Sequence, residues 1–136
     1  MSVDTLPSPE ECNCFAVRAA ARHVTQSYDQ FLAPTGLRTT QFSILAKLKR
    51  KGPLMINALA EDMLMDRTTL GRNILPLERD GLIRVAPAAS DRRAKDLRLT
   101  KAGEKRFLDG PQHKRDLTPS LEPSAVRTCV HCCERS

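Results

Sequence analysis

Breaks at Pro34 to Gly36, at Gly52-Pro53 and at Gly81 divide this chain, so no single long helix or strand can run from Cys14 to Asp80. Each piece between the breaks carries the three- and four-residue apolar rhythm of an amphipathic helix. In the first, Cys14, Val17, Ala21, Val24, Tyr28 and Phe31 form one stripe of a helix of about twenty residues. The second opens at Thr39 or Thr40, either of which can cap, and carries Phe42, Leu45 and Leu48. The third begins at Asn57, a good N-cap, with Leu59, Ala60, Met63 and Leu64 expected on its buried side. A break at Met65 follows. Asp66 then caps a fourth helix to about Asp80, where Gly81 suits a left-handed terminal residue. Leu70, Ile74 and Leu77 share one face of this helix; Thr68, Arg72 and Arg79 lie opposite. Pro76 removes the hydrogen bond to the Arg72 carbonyl and predicts a kink.

Beyond Gly81 the period changes. Leu82 to Val85 (LIRV) is a short β-branched run, and Asp96 to Leu99 (DLRL) alternates as its partner strand, with a basic loop between them. Thr100 caps a last helix that ends near Phe107 or Leu108. The fold class is mainly α with a small β-hairpin, in the order α-α-α-α-β-β-α. Residues 1–11, with Pro7 and Pro9, read as a flexible arm, 12–108 as one folded domain, and 109–136 as a disordered tail.

Several classes of function are excluded. There is no nucleophile–base–orienter pattern, no glycine-rich phosphate loop and no suggestive carboxylate pair, so no catalytic residue and no cofactor are expected. No apolar run approaches a membrane span, and the acidic N-terminus lacks a signal-peptide profile; a cytoplasmic location is expected. The five cysteines fall in two clusters, Cys12 with Cys14, and Cys129 with Cys132 and Cys133. An odd count reads as free thiols in a reducing compartment. Cys129, His131, Cys132 and Cys133 lack the second separated pair that a zinc site usually needs, so no metal is expected.

The formal net charge of +6 favours a polyanion, but charge alone serves solubility equally well. Its placement is more informative. Residues 57–64 and 67–80 are two short helices joined by a tight turn, and the second has a polar outer face, the layout that enters a major groove. Arg67, Thr68, Thr69, Arg72 and Asn73 are its candidate contacts to double-stranded DNA. The following hairpin carries Arg92, Arg93 and Lys95 at its tip, over residues 86–96, placed for the backbone and the minor groove. Asp91, two residues before Arg93, is expected to hold that guanidinium in a fixed direction.

These residues resemble the MarR family of bacterial winged helix-turn-helix regulators. The resemblance rests on Asp91-x-Arg93, five residues, then Leu99-Thr100-x-x-Gly103, with LAEDM (59–63), RTTLGRNI (67–74) and LERDGLI (77–83) in support. It implies a homodimer on a nearly palindromic site, a wing arginine in the minor groove, and repression relieved by a small-molecule effector or by cysteine oxidation. Family members extend the last helix and add another to build the dimer. Here Gly110, Pro111 and a polar tail stand in their place, like a truncated or frame-shifted ending. That departure supports an alternative: a dimerisation-deficient module that modulates a full-length relative. A further alternative is a thiol-based, peroxide-responsive regulator. Cys14 with Phe15, near Cys12 and fourteen residues before Tyr28, looks like the organic-hydroperoxide-sensing branch. The competing reading of Cys14 is a small buried hydrophobe on the helix stripe.

Overall fold

A computed structural model describes residues 12–110; the expected arm at 1–11, and residues 111–136 of the expected tail with their cysteines and any dimerisation elements, lie outside them. The order is α1 (Asn13–Leu32), α2 (Thr39–Lys51), β1 (Leu54–Met55), α3 (Ile56–Asp62), α4 (Arg67–Arg79), β2 (Ile83–Pro87), β3 (Lys95–Leu99) and α5 (Lys101–Leu108). The chain divides into two units. The described part of the first is α1 up to Phe31, along which Cys14, Phe15, Val17 and Phe31 are exposed rather than buried.

The second unit starts at Leu32 and holds every other described residue. The hairpin expected from LIRV and DLRL is present, and a third strand joins it: β1 pairs with β3, giving an antiparallel sheet of order β1-β3-β2. Helices and sheet close over one core. Ile44, Leu45 and Leu48 come from α2, Leu59 and Ala60 from α3, Leu70, Ile74 and Leu77 from α4, and Leu82, Ile83 and Leu97 from the wing. On the outer face of the sheet Arg84 stands directly opposite Arg98, and Arg98 has Asp96 at 4.0 Å.

Three expected helix starts or sides need correction. Arg38, not Thr39 or Thr40, precedes α2, and its N–H donates to the Gln41 side chain at 3.0 Å. Met55, not Asn57, precedes α3, because strand pairing delivers the chain in extended conformation two residues earlier. Leu64 is 97% exposed, since α3 ends at Asp62 and the helical rhythm no longer governs it. By contrast, Asp66 and Thr100 cap α4 and α5 as expected, and α4 is continuous through Pro76.

One corner sets the wing against α4. Gly81 has φ +71° and closes the helix: its N–H donates to the Glu78 carbonyl at 3.0 Å, and the Leu82 N–H donates to Leu77 at 2.9 Å. The Thr100 hydroxyl is placed to donate to the Gly81 carbonyl at 2.7 Å or the Leu82 carbonyl at 3.0 Å, while it accepts from the Gly103 N–H at 3.0 Å. A Cβ on Gly103 would stand 1.9 Å from the Leu82 oxygen. The Thr100-x-x-Gly103 spacing therefore caps α5 and seats it on the start of β2. Elsewhere, Asp62 bridges Lys47 at 2.9 Å and Lys51 at 2.7 Å, tying α3 to α2; Lys51 first and then Lys47 hold its carboxyl below the usual value.

The same substitution is expected to have opposite signs at two glycines. Gly103→Ala forces a clash with backbone and lowers unfolding free energy by about 2 kcal/mol or more. Gly71→Ala, in mid-helix with nothing within 4 Å of the added carbon, raises it by about 0.5–1 kcal/mol. Urea unfolding of the two variants checks both.

Candidate nucleic-acid interface

The turn between α3 and α4 runs from Met63 to Asp66. Leu64 occupies the left-handed region at φ +51°, its N–H donating to Glu61 at 3.1 Å while the Met65 N–H reaches Ala60 at 2.9 Å. These two bonds form the same closure that Gly81 makes after α4, with a leucine where glycine is usual. Asp66 then starts α4, accepting the Thr69 N–H at 2.8 Å, and the Thr69 hydroxyl also points at the Asp66 carboxylate. Those bonds, the hydroxyl first, hold the Asp66 carboxyl below its ordinary value.

The expected contacts on α4 therefore separate. Arg67, Thr68 and Arg72 are exposed, and Thr68 and Arg72 lie opposite the buried Leu70, Ile74 and Leu77. Thr69 is also exposed, but its hydroxyl serves the cap, and the Asn73 side chain donates to the Thr69 carbonyl at 2.9 Å. Both are engaged within the helix. Arg79 extends the outer face, and so does Leu75, an apolar residue that sorting the helix into polar and apolar sides passed over. The 100° step per residue could have found it.

At the wing tip, Ala88 and Ala94 close the ribbon at 2.9 Å. Asp91 acts differently from expectation: its carboxylate accepts the Arg93 backbone N–H at 2.9 Å, and no ion pair joins it to the Arg93 guanidinium among the described residues. It shapes the turn that presents Arg92 and Arg93, both exposed, beside exposed Lys95. A groove of about 420 Å³ separates α4 from the wing, with Gly71, Leu75, Val85 and Pro87 on its walls and Arg92 and Lys95 at its rim.

Only some of the cations are ion-paired, Arg79 among them, with Asp80 at 3.2 Å. Lys47, Lys49 and Lys51 pair with Asp62 or Glu104 behind the interface. Arg67, Arg72, Arg92, Arg93 and Lys95 have no ion-pair partner among the described residues.

Comparison with known proteins places this arrangement. The family model described as MarR family matches residues 37–95. The M. tuberculosis transcriptional regulator MosR is 32% identical, with 94% of this chain and 97% of that one covered and a TM-score of 0.67. The chain belongs to the MarR family. A mutant of E. coli MarR complexed with operator DNA shares the fold at 18% identity, covering 88% and 89% with a TM-score of 0.68. Bordetella bronchiseptica BpsR, whose DNA binding is regulated by 6-hydroxynicotinic acid, shares it at 21% identity, 88% of each chain and a TM-score of 0.63. No curated protein matches the sequence.

In this MarR-family chain the wing signature thus has a physical reading at each position: Asp91 for the turn, Thr100 for the corner, Gly103 for close approach. The thiol candidates are less closely grouped. Cys12 and Cys14 are exposed at the head of α1. Tyr28, half-buried, sits fourteen residues along the same continuous helix, about 21 Å from Cys14 at 1.5 Å per residue. Among the described residues, no group of three or more His, Cys, Asp or Glu could hold a metal, and no helix is long and apolar enough to cross a membrane.

The Asp66 cap makes α4 acid-sensitive. A carboxyl held below its ordinary value in the folded state contributes stability that is complete above the ordinary carboxylate range and is lost as pH falls through the depressed value. Lowering pH from about 5 to about 3 is expected to loosen the first turn of α4. Asp66→Ala is loosened already at neutral pH and responds no further. The NMR shift and exchange rate of the Thr69 amide report both.

Proposed function

We propose that this chain is a sequence-specific DNA-binding repressor that inserts α4 into the major groove and lays the β2–β3 wing along the adjacent backbone, with Arg93 entering the minor groove. The observation that carries the reading is the set of exposed cations without an ion-pair partner among the described residues, Arg67 and Arg72 on α4 and Arg92, Arg93 and Lys95 on the wing, which are free to meet an external anion. Arg72 and Thr68 supply base-edge contacts, Arg67 and Lys95 phosphate contacts, and Arg92 and Arg93 the groove beside. Two copies reading a nearly palindromic site belong to this reading, as does a small-molecule effector, on the precedent of BpsR.

Duplexes selected by the protein from a random pool test it. Arg93→Ala is expected to weaken binding to most sequences and to lower the slope of log affinity against log salt by about 0.9 for each phosphate no longer neutralised. Arg72→Ala is expected to lose about 1–3 kcal/mol of discrimination at one base pair. Unchanged affinity and slope in both variants would overturn the reading, and a monomer by sedimentation at micromolar concentration would overturn its two-copy part.

A second reading rests on the exposure of both Cys12 and Cys14. A peroxide would oxidise the Cys14 thiolate to a sulfenic acid, itself being reduced to the alcohol, and the Cys12 thiol would then displace water to form a disulfide. Mass spectrometry after mild peroxide is expected to find this pair oxidised before the other cysteines. A Cys14 that stays reduced while they react would sink it.

A further inference from the structure

The outer face of α4 holds a single large apolar side chain in the midst of its polar ones. Leu75 is 65% exposed, whereas Leu70, Ile74 and Leu77 on the other side are at 4% or less. The helical step places it within about 20° of Thr68, with Arg79 about 40° and Arg72 about 60° away, both on the Thr68 side. One turn earlier Gly71 has no side chain, and an added Cβ there would meet nothing within 4 Å. The result is an aliphatic knob beside an open notch, with the Thr68 hydroxyl and the arginines on one side and exposed Glu78 on the other.

We propose that Leu75 is a specificity-determining residue that reads the C5-methyl group of a thymine, an inference that rests on the insertion of α4 into the major groove. The thymine methyl is the apolar feature displayed on that groove's edge, so it is the surface against which a leucine can be shielded from water. Cytosine at the same place offers an amine with no methyl, and the leucine gains no partner. The reach is suitable. From Thr68 to Leu75 the helix rises about 10 Å, at 1.5 Å per residue, which spans about three base-pair steps of 3.4 Å. The missing side chain at Gly71 lets a base edge come close to the helix between them.

Replacing each thymine of a selected duplex by deoxyuridine removes only the methyl. In the wild-type protein one such position per half-site is expected to weaken binding about threefold to fivefold, the worth of one buried methyl. Leu75→Ala binds the thymine duplex as weakly as the wild type binds that uridine duplex, and becomes indifferent to the replacement; Leu75→Met keeps the dependence. The site is exposed, so truncation there leaves the fold intact, and an unchanged melting temperature in Leu75→Ala confirms that the binding change is local. If Leu75→Ala loses the same factor as wild type at every uridine, another residue reads the methyls and the inference fails alone. If the wild-type protein enriches no sequence from the pool, groove insertion fails, and this inference with it.

Discussion

The junction of Thr100 with the Gly81 and Leu82 carbonyls governs the geometry of the interface. Four elements meet there: the end of α4, the beginning of β2, the end of β3 and the first turn of α5. One hydroxyl links the two strand ends and caps the helix that follows, and the bare Gly103 allows that helix to sit within van der Waals range of the corner. Since β2 leaves α4 at this point, the angle between α4 and the wing is decided here, some distance from any residue proposed to touch DNA. In the proposed reading of two grooves at once that angle would need to be stiff, because an error in it would move Arg93 away from the minor groove when α4 is seated.

Rigidity at the tips is local and made largely of backbone. Asp66 and Asp91 are both acidic residues inside a positive surface, where each subtracts from the attraction for phosphate. Both use their carboxylates on main-chain N–H groups, Thr69 in one case and Arg93 in the other. The positive field is slightly weaker for it, and the side chains that carry the field are presented on ordered turns.

Most of the helical framework could be read from the spacing of apolar residues and glycines, and α4 most of all: Asp66, Leu70, Ile74, Leu77 and Gly81 lie where their chemistry requires. What escaped the sequence were features decided by tertiary partners. Leu54–Met55 is too short to alternate and is a strand only because β3 lies beside it. Leu64 continues the i, i+4 rhythm of α3 yet lies beyond its end, so periodicity placed it inside. Asp91 sits near Arg93 in sequence, which suggested a charge pair, but the main-chain amide is closer and fixed. Leu75 is hidden by any division of α4 that reserves leucines for the inner side, and Thr69 and Asn73 looked available because bonds within the helix are invisible in composition.

Arg84 and Arg98 face one another across the base of the wing, and like charges in directly opposed positions push strands apart. Dissolved ions screen that push just as they screen the pull of phosphates on the tip. In the proposed complex, ionic strength would therefore act on the ribbon in two directions at once: brine that freed the protein from a duplex would also relax its hairpin, and a dilute medium that favoured docking would leave the hairpin under its greatest internal tension.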